Sequence, residues 1–473
     1  MPAVPQTRRP CASPVPGWLC GLPVALALAC GSGSLDEPLP PQGSSSTTAQ
    51  GDTLPPVDTG DQSSTSSEDS SGDPPDDPQL CPPGCPITLP VDWAFEGMAL
   101  PPDPREPLPP DPAAGFDPRG HLVPTMLRDP QDGSLVLAEQ HDGAVSLHRL
   151  DRYGRLEWTQ TPPLPCDPCD LTHVARHPSG DLLLSATGLL TDDTYGLLAA
   201  RYDPMTRALV WVTTTPLPND PLTPSRSGEI AGLSGGLVVQ LVLEGRFDFD
   251  PVQLSRLVIY DDDGLALELD DLVLDPVMES RYPLLARVGP DDDLVIAVPF
   301  GTEANPLGLT GRIAPPLWNT AGLVVVLGAL DDLIPDERGH TIELGHTFDG
   351  SQVRLVLTDR ASYTPQPQWI ATQAFDSTSG SRAALALGPQ GDAYAALRTT
   401  LSIADEAEPL VALSMARFTT DGELRWRATL LERIAPSHNP VELAVDPSEG
   451  LIVAAVVDDR LRVERRTQHC GCE

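Results

Sequence analysis

Lysine is absent from the chain. All 30 basic residues are arginine, they stand against 67 acidic ones, and the formal charge over 473 residues is −37. No arginine-rich stripe relieves that balance, so a nucleic-acid partner is excluded, because phosphate contacts need clustered cations. Adsorption to anionic lipid head groups is disfavoured for the same reason. Aromatic residues make up only 5%, too few for extended sugar-stacking platforms. Catalytic signatures are missing too: there is no H-E-x-x-H, no Walker loop, no G-x-G-x-x-G and no C-x-x-C-H. The one G-x-S-x-G match, GLSGG around Ser234, has its strand after the serine instead of before it. It therefore reads as a glycine-rich turn and not as a nucleophile elbow.

Long apolar runs are scarce as well. Residues 18–29 (WLCGLPVALALA) follow Arg8 and Arg9, and no further charge appears until Asp36. Such a segment is an export signal, too short to span a bilayer as a helix. It ends in Ala27-Leu28-Ala29-Cys30, which resembles the lipobox of bacterial lipoproteins, with alanine where leucine is usual. The resemblance implies a signal peptide over residues 1–29 and diacylation of the Cys30 thiol. The partner is then the membrane, reached through a lipid anchor without a transmembrane helix. Gly31 after the cysteine points to the outer membrane of the cell envelope; plain cleavage and secretion is the alternative.

Residues 30–80 are rich in Ser, Thr, Pro and Asp. Between Gly31 and Leu80 there are ten carboxylates and no arginine. With almost nothing to bury, the segment cannot offset its ordering entropy and is expected to be a disordered, self-repelling tether.

The remainder, 81–473, exceeds the size at which one core keeps growing, and it is internally periodic. Turn-plus-strand signatures recur at intervals of roughly fifty residues: DGSLVLAEQ, SGDLLLSAT, GGLVVQLVL, DDLVIAVPF, DGSQVRLVL, QGDAYAALR and EGLIVAAVV. A second hairpin follows, clearest in RLDRYGRLEW from Arg149 and RFTTDGELRW from Arg417, with relatives from Arg201 and Ile259. In RLEW and ELRW, alternation places leucine and tryptophan on one face and Arg155, Glu157, Glu423 and Arg425 on the other. Trp318 and Trp369 lie near the same spacing but outside the Gly-x-Leu-x-Trp frame, and are not counted as part of the repeat. Each unit reads as four short strands, with few helix-length amphipathic segments. The expected fold is all-β, a β-propeller of about seven four-stranded blades. Six is the alternative, because residues 349–390 offer only two convincing strands. The alternation of apolar strand, P-x-G-D turn and D-x-x-G-x-L-x-W hairpin resembles bacterial secreted propellers of the quinoprotein-like or related seven-bladed class.

Outside Cys11, Cys20 and Cys30, six cysteines form three close pairs. Residues 86–95 and 460–467 can each form a strand, and antiparallel pairing of the two would close the ring. Cys81 and Cys85 would then face Cys470 and Cys472, and disulfides between them are expected. Local bridges within each pair, or a zinc site made of the four thiolates, are the alternatives. Cys166 and Cys169 are expected to form a local structural bridge, since Asp167 and Asp170 disfavour a redox thiolate.

No catalytic residue stands out. His173 and His177 on one strand would lie about 13 Å apart, too far to share a metal. Acidic turns at Asp248/Asp250, Asp261 to Asp263, Asp291 to Asp293 and Asp331/Asp332 are where calcium would bind, although none has the full calcium-loop pattern. The expected function is a surface-anchored binding or scaffold propeller, monomeric, without cofactor, for an unidentified protein or small-molecule ligand. A quinoprotein-like dehydrogenase or other propeller enzyme, with its site in the central channel, is the competing expectation. The adjacent Cys-Cys pair of many such dehydrogenases is not present.

Overall fold

The computed structural model describes residues 87–99 and, with interruptions, 125–470; all belong to one compact unit, Gly72–Glu473. The signal segment, Cys30, the tether, Cys81, Cys85, Cys472, Asp248, Asp250 and Trp318 lie outside the described residues.

The described residues are all-β and form a seven-bladed propeller. Blade 1 runs Thr125–Arg128, Leu135–His141, Ala144–Leu150 and Leu156–Gln160. Blade 2 runs Cys166–Arg176, Leu182–Leu190, Tyr195–Asp203 and Ala208–Pro216. Blade 3 has three described strands, Arg226–Gly232, Val238–Arg246 and Val252–Tyr260, and Ala266 bridges back to Tyr260. Blades 4, 5 and 6 begin at Leu285–Val288, Asp332–Pro335 and Ala384–Leu387. Blade 7 takes Glu442–Val445, Leu451–Val457 and Arg460–Arg466 from one end of the unit and Val91–Ala99 from the other. Every neighbouring pair within a blade is antiparallel. The innermost strand of each blade touches that of the next, and Glu442–Val445 touches Thr125–Arg128, so the ring is closed.

This arrangement buries both faces of each sheet. Leu135 and Leu137 pack towards blade 7 with Ile452 and Val463, while Val136 and Ala138 pack towards blade 2 with Leu184 and Ala186. The core is a set of layers, one at each seam between neighbouring blades. That is why the second strands read as unbroken apolar runs and not as alternating ones.

The hairpin repeat acquires its physical meaning from a β-bulge. Trp158 pairs with Arg149 and Leu156 with Leu150, so Glu157 is an extra residue. The same insertion precedes Trp211, Trp426 and Trp93. It also precedes Trp369, opposite Asp359, so this residue belongs to the repeat after all. The bulge breaks the expected alternation: Leu156 is 51% exposed and Leu424 43%, whereas Trp426 is buried. Leucine and tryptophan therefore do not share an inter-blade face. Each tryptophan instead reaches the next blade. Trp93 covers Gly154, Trp211 covers Gly264 and Trp369 covers Gly422, each glycine at positive φ in a turn between third and fourth strands. The leading arginine of the repeat clasps its own blade. Arg201 meets Asp181 at 2.6 Å, Arg417 meets Asp392 at 2.8 Å, and Arg149 meets Asp132 at 2.7 Å.

Blade 5 resolves the choice between six and seven. Asp349 was expected to open a first-to-second strand turn; instead it follows His340–Phe348, the blade's second strand, and precedes Gln352–Ala361, the third. The first turn lies upstream in residues 336–340 (DERGH), closed by Asp336 accepting from the Gly339 N–H, with Gly339 at φ 77°. The fourth strand is Pro367–Asp376.

Candidate functional site

The innermost strands bring charged side chains of successive blades into contact, with Glu229 and Asp332 buried among them. At equivalent positions they place Thr125, His173, Glu229, Leu285, Asp332, Ala384 and Glu442. Arg287 of blade 4 bonds Glu229 of blade 3 through Nη1 and Asp332 of blade 5 through Nη2, the latter at 3.3 Å. The Ala286 N–H donates to Glu229 Oε2 at 2.8 Å. Asp332 accepts the N–H groups of Leu333 at 2.8 Å and of Leu385, in blade 6, at 2.9 Å. His173 of blade 2 accepts the Ile230 N–H on Nδ1 at 3.3 Å, which leaves the proton on Nε2, 3.7 Å from Glu229 Oε1. A chain of polar contacts therefore runs across blades 2 to 6. Buried charges of this kind persist only when partnered.

Beside it, His346 Nδ1 lies 2.5 Å from Asp331 Oδ2. The Asp331 carboxylate holds the imidazole above its ordinary pKa of 6.5, against the opposing effect of burial. A raised folded-state value means that the stabilisation is complete below the unfolded pKa and is lost as pH rises through the folded one. Thermal midpoints measured across neutral pH should therefore fall for the wild type relative to His346→Gln. Parallel curves for the two proteins would contradict the coupling.

A second constellation lies in blade 1. His148 is 3% exposed. Its Nδ1 is 3.0 Å from the hydroxyl of exposed Thr159, and its Nε2 is 2.8 Å from Glu139 Oε2. His148 and Thr159 are direct cross-strand partners, and Phe95 of blade 7 packs against the imidazole. The row satisfies both nitrogens of a buried histidine. It had a faint sequence signal: polar Glu139 and His148 interrupt strands that are otherwise apolar.

The residues singled out in the sequence are dispersed. Cys166 and Cys169 form a disulfide at the head of the innermost strand of blade 2. Cys470 is disulfide-bonded and pairs in register with Ile87, in a short ladder joining Ile87–Thr88 to His469–Cys470. Ser234 sits in the first turn of blade 3, where its N–H and hydroxyl donate to Asp292 of blade 4, each at 2.6 Å. His177 is buried in the first turn of blade 2 beside Ser179 and is not brought to His173's contacts. The acidic turns have protein partners: Asp262 meets Arg201, Asp293 meets Arg312, Asp331 meets His346, and Asp261 accepts the N–H groups of Asp263 and Leu265. Among the described residues no group of three or more His, Cys, Asp or Glu is disposed to hold a metal ion.

No protein-family model matches the sequence, and no curated protein matches it. Solved structures similar to the chain include the alpha-L-arabinanase of Penicillium chrysogenum complexed with arabinobiose, at 12% identity and TM-score 0.44, covering 82% of this chain and 99% of that one. A glucose dehydrogenase is similar at 14% identity and TM-score 0.36, covering 73% and 96%. The extracellular domains 1-2 of Drosophila Semaphorin 1b are similar at 11% identity and TM-score 0.39, covering 80% and 87%.

Proposed function

We propose that the chain is a lipoprotein of the cell envelope, anchored through Cys30, whose propeller serves as a binding or scaffold module and not as a catalyst. The observation that carries this reading is the engagement of the inner-strand charges. Glu229, Arg287 and Asp332 bind one another and the backbone N–H groups of adjacent blades, so their chemistry holds the ring. A general acid or base needs a free lone pair or proton directed at a substrate, and these groups are already committed.

Two measurements test the reading. Radioactive palmitate should label the full chain in cells, and the label should vanish in Cys30→Ala; equal labelling of both would remove the anchor. Absorption spectroscopy and elemental analysis of the purified protein should find neither quinone nor calcium. A stoichiometric amount of either would overturn the scaffold reading.

The closure carries its own expectation. The disulfide of Cys470 is proposed to reach the N-terminal cysteine pair, because the Ile87–Cys470 register brings the two ends together. Non-reducing mass mapping should recover a peptide joining Cys81 or Cys85 to Cys470. A Cys81–Cys85 bond in its place would refute it.

A further inference from the structure

Where blade 7 meets blade 1, a cavity of about 590 Å³ opens beside the ring closure, lined among others by Trp93, Arg128, Asp132, Tyr153, Asp446 and Arg465. That volume is within the usual range for small-molecule pockets. The cavity also borders Asp92 and Arg152. Three carboxylates and three guanidiniums therefore line it, and they differ in how far they are engaged.

The carboxylates are occupied. Asp132 accepts the Ser134 N–H at 2.8 Å and Arg149 at 2.7 Å. Asp446 accepts the N–H groups of Ser448 at 2.8 Å and Gly450 at 2.9 Å on one oxygen, and Arg465 at 2.6 Å on the other. Asp92 accepts from Arg465 and Thr467. Arg465 is thereby occupied as well.

The other two guanidiniums are not. Among the described residues Arg128 has neither hydrogen bond nor ion pair, and its Nε is buried without an acceptor. Arg152, among the described residues, donates only to the Tyr153 hydroxyl, at 2.5 Å, and stacks over that ring at 4.7 Å from its centre. Tyr153 itself is 56% exposed. Two guanidiniums without a carboxylate partner among the described residues thus share one cavity of a chain whose charge is −37. A buried donor without an acceptor is costly, and a carboxylate is the acceptor that matches the guanidinium fork.

We propose that this seam cavity binds a carboxylate carried on a six-membered ring, the carboxylate received by Arg128 and Arg152 and the ring lying along Tyr153 and Trp93. The site shares no residue with Glu229, Arg287 and Asp332, on which the binding-module reading rests, so either can fail alone.

Titration calorimetry on the full chain tests it, with glucuronate and benzoate as charged probes and glucose and benzyl alcohol as their neutral counterparts. At least one acid should bind, and about tenfold or more tighter than its neutral counterpart, with affinity falling as salt is raised. Preference for glucuronate over benzoate, or the reverse, tells a sugar acid from an aromatic one. Arg152→Gln, at an exposed turn, should weaken binding by about tenfold without shifting the thermal midpoint, and Arg128→Gln should do the same. If Arg128→Gln fails to fold, Arg152→Gln decides. No binding by either acid, equal binding of acid and neutral probe, or affinity unchanged in Arg152→Gln would overturn the proposal.

Discussion

Replacing Arg417 by alanine should destabilise the propeller by about 3–5 kcal/mol, the cost of breaking a buried ion pair from one side. The Arg417 side chain is 4% exposed. Its Nε donates to Asp392 at 2.8 Å, and Nη1 and Nη2 donate to the two oxygens of Glu449 at 2.8 and 3.1 Å. The guanidinium also lies over Tyr394, 5.0 Å from the ring centre. Asp392 belongs to blade 6 and Glu449 to the first turn of blade 7, so one side chain joins two blades. Its loss would leave two nearly buried carboxylates facing each other without a cation. Arg417→Lys keeps the charge but loses the forked contact with Glu449, and should fall between. Denaturant unfolding of the three proteins at neutral pH measures this directly. A loss below about 1 kcal/mol at neutral pH would place the cluster with solvent-screened surface pairs.

Gly264→Ala should cost about 2–4 kcal/mol, from left-handed strain and overpacking together. The residue sits at φ 80°, and a β-carbon there would lie 2.6 Å from Trp211 Cδ2. Trp211 is itself buried between blades 2 and 3. Gly180 is the internal control: its φ is 97° and a β-carbon would meet nothing within 4 Å. Gly180→Ala should therefore show the backbone strain alone, about 1–2 kcal/mol. Equal losses at the two sites would mean that the tryptophan cover contributes nothing to the seam. A double-mutant cycle with Trp211→Leu isolates the contact, since removing the indole should recover part of the Gly264→Ala loss.

The turn between first and second strands was legible wherever Gly and Asp stand together before an apolar run, because a sheet buried on both faces leaves such a run unbroken. Ring closure by the strand containing Trp93 was legible for a different reason: residues 86–95 and 460–467 can each form a strand and adjoin the two terminal cysteine pairs. The frame of blade 5 was not. Its first turn is DERGH, where His340 stands in the place held by Asp181 and Asp392 in other blades, so the hairpin at Asp349 looked like the better match. Leu156 and Trp158 were misassigned because a bulge changes facing without changing composition. The site was less legible than the fold. Arg287 touches Glu229 and Asp332, which lie 58 and 45 residues away, and only the ring geometry makes them neighbours. Arg128 and Arg152 drew no reading from the sequence, since a missing partner leaves no mark on it.

The closing strand bears on the order in which the protein assembles. Most blades are built from hairpins whose partners lie close along the chain, and such pairings are fast. The contact between Asp92 and Arg465 spans 373 residues. Val91–Ala99 is therefore synthesised before every blade and must wait for the last of them before it can pair. Loop-closure entropy grows only slowly with span, so the delay weighs on rate more than on final stability. Until it ends, the third strand of blade 7 presents an open edge. A circular permutant opened between blades 3 and 4 would make this strand local, and should shorten the slowest refolding phase while leaving the equilibrium midpoint nearly unchanged.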